Sequence, residues 1–171
     1  MIFPEMLEGS RVRLSPMNRS HTNALYAAAK EAAIWTYLPL KIDKIADMNR
    51  LIDEALEERE RGLACPFVVY DRQLNKLVGS TRYLNISTAN RNLEIGWTWY
   101  SPDVWRSRVN TECKYLLLRY AFEELQCIRV QFKADVQNDR SNRAIERLGA
   151  VHEGVLRADR ILPDGYIRSA N

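Results

Sequence analysis

Trp105-Arg106-Ser107-Arg108-Val109-Asn110-Thr111-Glu112 is the stretch on which the fold turns. It follows a strand-like run over 93–100 and opens the clearest helical pattern in the chain, over 109–125. A strand, a short basic turn and a helix N-terminus together make a receptor for an anion. The unbonded N–H groups of a first helical turn point outward, and the helix dipole is positive there. Arg106 and Arg108 add mobile positive charge, and guanidinium forks match phosphate oxygens. The stretch reads as a phosphate or pyrophosphate site in a small enzyme, with Asn110 and Thr111 equally suited to cap the helix. Glu112 supports the first turn by its charge but would repel a phosphate placed too close, so it is expected to point sideways.

The run before this turn alternates. Leu93, Ile95, Trp97 and Trp99 are expected on one face, and Glu94, Gly96, Thr98 and Tyr100 on the other. Further upstream, strands are expected over 11–15, 66–70 and 77–86. One helix should run from a cap at Asn18 or Ser20 to about residue 30. A second over 44–61 carries the stripe Ile45, Met48, Leu51, Ile52, Ala55 and Leu56 and stops at Gly62. Downstream come a strand over 129–136, a short helix over 140–148 and a strand over 151–161. The turn signal Asp164-Gly165 should start a last strand near Tyr166 that is incomplete at Asn171. Without repeats or linkers, residues 1–171 read as one domain of mixed α+β class.

Composition narrows the function classes. The net charge of +3 comes from 25 basic and 22 acidic residues, too balanced to point to nucleic acid. Cys65, Cys113 and Cys127 form no zinc pattern or CxxC pair and read as buried thiols in a reducing compartment. Cys113 shares a stripe with Leu116, Leu117 and Tyr120, which favours packing over nucleophilic chemistry. No signal peptide is visible, and no apolar run approaches the roughly 18 residues that a membrane span needs, so a cytoplasmic protein is expected. Four Trp and eight Tyr suggest aromatic lining of a pocket or a subunit contact.

Several ordered motifs then carry a family resemblance. They are Leu93-Glu94-Ile95-Gly96-Trp97 on the strand, Asn110-Thr111-Glu112 at the helix start and Tyr120-Ala121-Phe122-Glu123 near its end. Asn138-Asp139-Arg140-Ser141-Asn142-Arg143-Ala144-Ile145-Glu146-Arg147-Leu148-Gly149-Ala150 and Glu153-Gly154-Val155-Leu156-Arg157 follow. Over roughly 8–168 the chain resembles the GNAT-superfamily N-acetyltransferases, most closely the branch of the Rim-type ribosomal-protein N-terminal acetyltransferases.

The resemblance implies acetyl-coenzyme A as donor and an amine as acceptor; with no zinc pattern among the cysteines, no metal is expected. The resemblance also implies a mixed central sheet flanked by helices and splayed between the 93–100 and 129–136 strands. The pantetheine arm would pair with the backbone of Trp97, Thr98 and Trp99. The pyrophosphate would rest on Arg106, Ser107, Arg108, Val109, Asn110 and Thr111, and Asn138 would touch the arm. The family's phosphate turn carries glycine or alanine at the sites of Arg108 and Asn110, so a Cβ must clear the phosphate there.

Two residues are candidates for proton transfer. An alkyl amine is mostly protonated at neutral pH, so direct attack on a thioester needs a base, and Glu94 on the cofactor strand is placed for it. Ser141 shares a face with Ala144, Ile145 and Leu148 and looks inward. In the Rim-like branch a serine here serves the departing thiolate, where other members use a tyrosine one turn on, in the region of Ile145. Trp35, Tyr37 and Tyr83 are candidates for shaping the acceptor slot, whereas His21 and His152 look like surface residues.

The expected reaction is acetyl transfer to a primary amine, either a protein N-terminus or a small molecule. A noncatalytic acyl-coenzyme A-binding protein of the same fold is the alternative. An RNA- or ribosome-binding module would rest on Arg106, Arg108, Lys114 and Arg119 alone. A homodimer is expected from the incomplete last strand, because an open sheet edge invites pairing.

Overall fold

The computed structural model describes residues 2–171. Strands β1 (Leu7–Glu8), β2 (Val12–Pro16), β3 (Ala64–Asp71), β4 (Lys76–Ser87), β5 (Asn92–Tyr100) and β6 (Arg129–Gln131) form one sheet in chain order. Each neighbouring pair is antiparallel except β5 and β6, which run parallel. Strands β7 (Leu156–Ile161) and β8 (Ile167–Ala170) make a second, two-stranded sheet. This is the mixed, splayed, helix-flanked architecture that the family resemblance implied.

The helices form where the apolar period is 3.6 residues. Helix α1 (Thr22–Ala28) and helix α2 (Ile45–Glu60) cover one face of the sheet. Of the α2 stripe, Met48, Leu51, Ile52, Ala55 and Leu56 are buried, whereas Ile45 in the first turn is exposed. Gly62 ends the helix at φ +72°, a conformation that costs glycine little. Helix α3 (Val109–Arg119) covers the other face with Val109, Cys113, Leu116 and Leu117 against Val12, Leu14, Phe67, Leu93 and Ile95. The expected helix to 125 continues not as α but as a π turn over Tyr120–Glu124, where Leu125 N–H reaches Tyr120 O.

The predicted alternation along 93–100 fails half-way. Arg82 pairs with Gly96 and Ser80 with Trp99, so Trp97 and Thr98 together stand opposite Thr81. This is a β-bulge, with Trp97 at φ +50°. It flips the strand. Leu93 and Ile95 face α3, but Trp99 faces the other helices, its ring 5.2 Å from that of Trp35. A period-2 pattern cannot register one inserted residue.

The last strand is short but not open. β8 pairs with β7 on one side, and Asp135 bridges to Ala170 on the other. The edge that motivated subunit pairing is therefore covered within the chain. Among the described residues no helix is long and apolar enough to cross a membrane.

Candidate active site

The sheet opens between β5 and β6. Their pairing stops after Glu94 and Gln131. Beyond it the 132–136 segment leaves for β8: Ala134 and Asn171 exchange backbone bonds of 2.8 and 3.2 Å, and Val136 N–H reaches Ser169 O. β5 continues from Ile95 to Tyr100 with no strand beside it on that edge among the described residues. A cleft of about 650 Å³ occupies the gap. An unpaired strand edge offers alternating N–H and C=O groups, which an extended amide-bearing ligand can join as an added strand.

The basic turn closes one end of this cleft. Arg106, Ser107, Asn110 and Thr111 line it. Arg106 holds φ +59°, while Arg108 has ordinary helical backbone at φ −75° and serves as the N-cap of α3. The predicted crowding at Arg108 thus meets no unusual backbone there. Ser107 hydroxyl donates to Val104 O and accepts from Val109 N–H. The N–H groups of Asn110 and Thr111 remain among the first-turn donors. Side chains of three predicted residues lie away from the cleft. Arg108 is exposed outside it, Val109 is core, and Trp99 packs on Trp35. Two non-glycine residues in the left-handed region, Trp97 and Arg106, stand on the wall between these ends. Such strain commonly accompanies a binding site.

Glu112 turns away from the anion site. Its carboxylate accepts Ser10 N–H at 2.7 Å, Ser10 hydroxyl at 2.8 Å and the N–H groups of Arg11 and Val12 at 3.0 Å. Burial pushes its pKa up, but these hydrogen bonds outweigh it and hold the carboxyl below the usual range. The helix start is therefore tied to the β1–β2 turn and the start of β2 by a carboxylate that does not face the cleft.

Helix α4 (Asp139–Arg147) forms the opposite wall. Asn138 caps it, its side chain accepting Ser141 N–H at 3.1 Å. Ser141, Ala144, Ile145 and Leu148 do share one face, but α4 buries none of its residues and this face lines the cleft. Arg140 crosses the mouth, its guanidinium 4.1 Å from the centre of the Trp105 ring. Sequence spacing holds no sign of this contact, because the two residues meet only when the sheet parts.

At the inner end, Glu94 is only 7% exposed. Asn85 Nδ2 donates to its Oε2 at 3.0 Å, and Lys133 Nζ lies 3.9 Å from the same oxygen. Gly96 keeps the space: a Cβ there would stand 3.0 Å from Leu84 Cδ2 and 3.3 Å from Glu94 Oε1. Of the three aromatic candidates only Tyr37 lines the cleft, and its hydroxyl donates to Gln137 O. Tyr83 is fully buried, with its hydroxyl on Leu117 O, and Trp35 is core. His21 sits in the capping interaction with Asn18, and His152 is exposed.

The sequence reading missed the floor of the cleft. Lys114, counted there among surface charges, is buried, and its ammonium donates to Thr98 Oγ1 at 2.6 Å. Burial lowers its pKa to about 8, against a small opposing effect of Cys113. One signal was available: Lys114 lies three residues before Leu117 on the buried side of α3. Cys113 itself is core, its thiol pushed up to about 12 by burial, which supports the reading that it packs rather than reacts.

The family profile of the acetyltransferase (GNAT) domain matches residues 11–151. The chain belongs to the GNAT acetyltransferase family. The GNAT domain is 26% identical to the uncharacterized N-acetyltransferase YoaA of Bacillus subtilis over 159 residues, which are 91% of this chain and 88% of that protein. It is 35% identical to a solved protein of T. thermophilus described provisionally as an acetyltransferase. That match has a TM-score of 0.89 and covers 99% of this chain and 88% of the other. The same fold recurs at 21% identity and a TM-score of 0.82 in the microcin C7 self-immunity acetyltransferase MccE, covering 95% and 91% of the two chains. That protein was solved with acetyl-CoA and AMP.

Proposed function

We propose that this GNAT domain transfers the acetyl group of acetyl-coenzyme A to a primary amine by direct attack. The observation that carries the reading is the unpaired β5 edge running into a basic turn at a helix start. An extended amide arm fits the first and a pyrophosphate the second. Trp97, Thr98 and Trp99 would hold the arm through their backbone, and Asn138 would meet it from the other wall. Arg106, Ser107, Arg108, Val109, Asn110 and Thr111 would hold the phosphates, Arg108 and Val109 through backbone or outer charge rather than through a side chain in the cleft.

The amine nitrogen attacks the thioester carbon, and a β5 N–H near Trp97 or Thr98 polarises the oxygen. The carbon–sulfur bond breaks. Glu94 takes the amine's proton, directly or through water, and the Ser141 hydroxyl supplies one to the departing thiolate and regains a proton from solvent. Positioning of the two reactants supplies most of the acceleration. The motifs on the β5 strand and at α4 favour the Rim-type branch, with a protein N-terminus or a small amine as acceptor. A cytoplasmic homodimer completes the proposal; exposed Leu156, Ile161 and Ile167 on the β7–β8 hairpin now support the dimer in place of an open edge.

Incubation with acetyl-coenzyme A and an array of amines and N-terminal peptides, scored for free thiol, tests this. Amine-dependent release of thiol is expected. Tight binding of the cofactor without release for any acceptor would instead make the chain a noncatalytic acyl-coenzyme A-binding protein.

A further inference from the structure

Lys114 is a buried cation with nothing of opposite charge beside it. It is 6% exposed, and among the described residues it makes no ion pair; the cation paired with Glu94 is Lys133. Its neighbours come from three elements. Thr98 Oγ1 on β5 lies at 2.6 Å and Thr81 Oγ1 on β4 at 3.5 Å. The Phe132 ring on the departing segment is centred 5.7 Å away. The titratable groups nearby are the Cys113 thiol on its own helix and the Tyr100 phenol on β5, both held protonated by burial. None of them neutralises an ammonium.

Thr98 and Phe132 flank the opening of the sheet, so the ammonium spans the gap from below. An ammonium has three protons to donate. The two threonine hydroxyls, 2.8 Å from one another, accept two of them. Among the described residues the third has no acceptor, and Lys114 lines the same cleft as Thr98, Glu94 and Arg106. Leaving a buried charge part-satisfied is costly unless water or a ligand completes it.

We propose that Lys114 is a cofactor-positioning residue whose ammonium donates its third hydrogen bond to an amide carbonyl of the pantetheine arm. This rests on the donor being a coenzyme A thioester. The arm expels water from the cleft as it enters, so the charge must find a new acceptor, and an arm carbonyl is the acceptor that enters with it. Lys114 then reads the arm, as the turn at Arg106 reads the phosphates, and it sets the depth to which the thioester reaches towards Glu94.

Two measurements test the assignment. In the intact protein, coenzyme A binding is followed by calorimetry in buffers of differing ionisation heat. A carbonyl bond favours the charged lysine and raises its pKa above the free protein's value of about 8. Binding at about pH 8 to 9 should therefore take up protons, and the uptake should fade towards about pH 6, where the lysine is already charged. Proton release at about pH 8 would mean that the arm merely dehydrates the amine, and would overturn the proposal. The second is Lys114→Met, which keeps the apolar stem. It should weaken coenzyme A and pantetheine about tenfold or more and leave adenosine bisphosphate unchanged. Unchanged coenzyme A affinity, or equal loss for the nucleotide half, would also overturn it. If the unaltered protein binds neither coenzyme A nor its fragments, the donor reading itself fails and this inference with it.

Discussion

Replacing Glu112 by alanine should cost stability without improving cofactor binding. The carboxylate collects four hydrogen bonds from Ser10, Arg11 and Val12 at 2.7 to 3.0 Å. The two from Ser10 are exposed and are largely replaceable by water. The two from the part-buried N–H groups of Arg11 and Val12 are not. Counting ~1.5 kcal/mol for each of these charge-assisted bonds gives a loss of ~3 kcal/mol. For a domain of this size that is a fall in Tm of roughly 6–12 °C. Thermal unfolding at neutral pH reads it. The pH dependence has a fixed sign. The folded pKa is depressed, chiefly by these hydrogen bonds working against burial. The contribution is therefore present above the unfolded value of about 4.3 and is lost as pH falls through the folded value, so wild type and variant should converge in acid. A loss that persisted at low pH would refute the hydrogen-bond account. A gain in coenzyme A affinity at neutral pH would refute the orientation, because it would mean that the charge had been repelling the phosphates.

Arg106→Ala should weaken coenzyme A more than Arg108→Ala does, and both effects should shrink with added salt, as titration calorimetry would show; equal effects would deny Arg106 its place in the cleft. Glu94→Gln should lower kcat about a hundredfold or more while cofactor affinity stays near wild type, and normal turnover would return Glu94 to its pairing with Asn85 and Lys133. Gly96→Ala should lower turnover, since the added methyl presses on Leu84 and Glu94; wild-type kinetics would show that Glu94 tolerates displacement. Sedimentation across a range of concentrations should reveal self-association, and a single species at the chain mass of 19.9 kDa throughout would remove the dimer.

Local patterns in the chain decided much of this protein. Met48, Leu51, Ile52, Ala55 and Leu56 of the α2 stripe, the stop at Gly62 and the strand–turn–helix around Arg106 follow from interactions within a few residues, and they stand where the sequence placed them. The sideways turn of Glu112 was also foreseeable, because a carboxylate and a phosphate avoid one another, although its partners a hundred residues away were not. The tertiary structure decided what depends on one element meeting another. The bulge at Trp97 arises from the register of β5 against β4, and it sends Trp99 into the opposite core. The 129–136 run is strand throughout in its pattern, yet it pairs with β5 for three residues and then with β8, because Ala134 and Asn171 offer each other backbone partners. Lys114 reads as a surface charge in one dimension and becomes the floor of the cleft in three. A helical period says which side of α3 faces inward, but only the parting of the sheet determines that what lies inward there is a cavity with room for a ligand rather than a packed core.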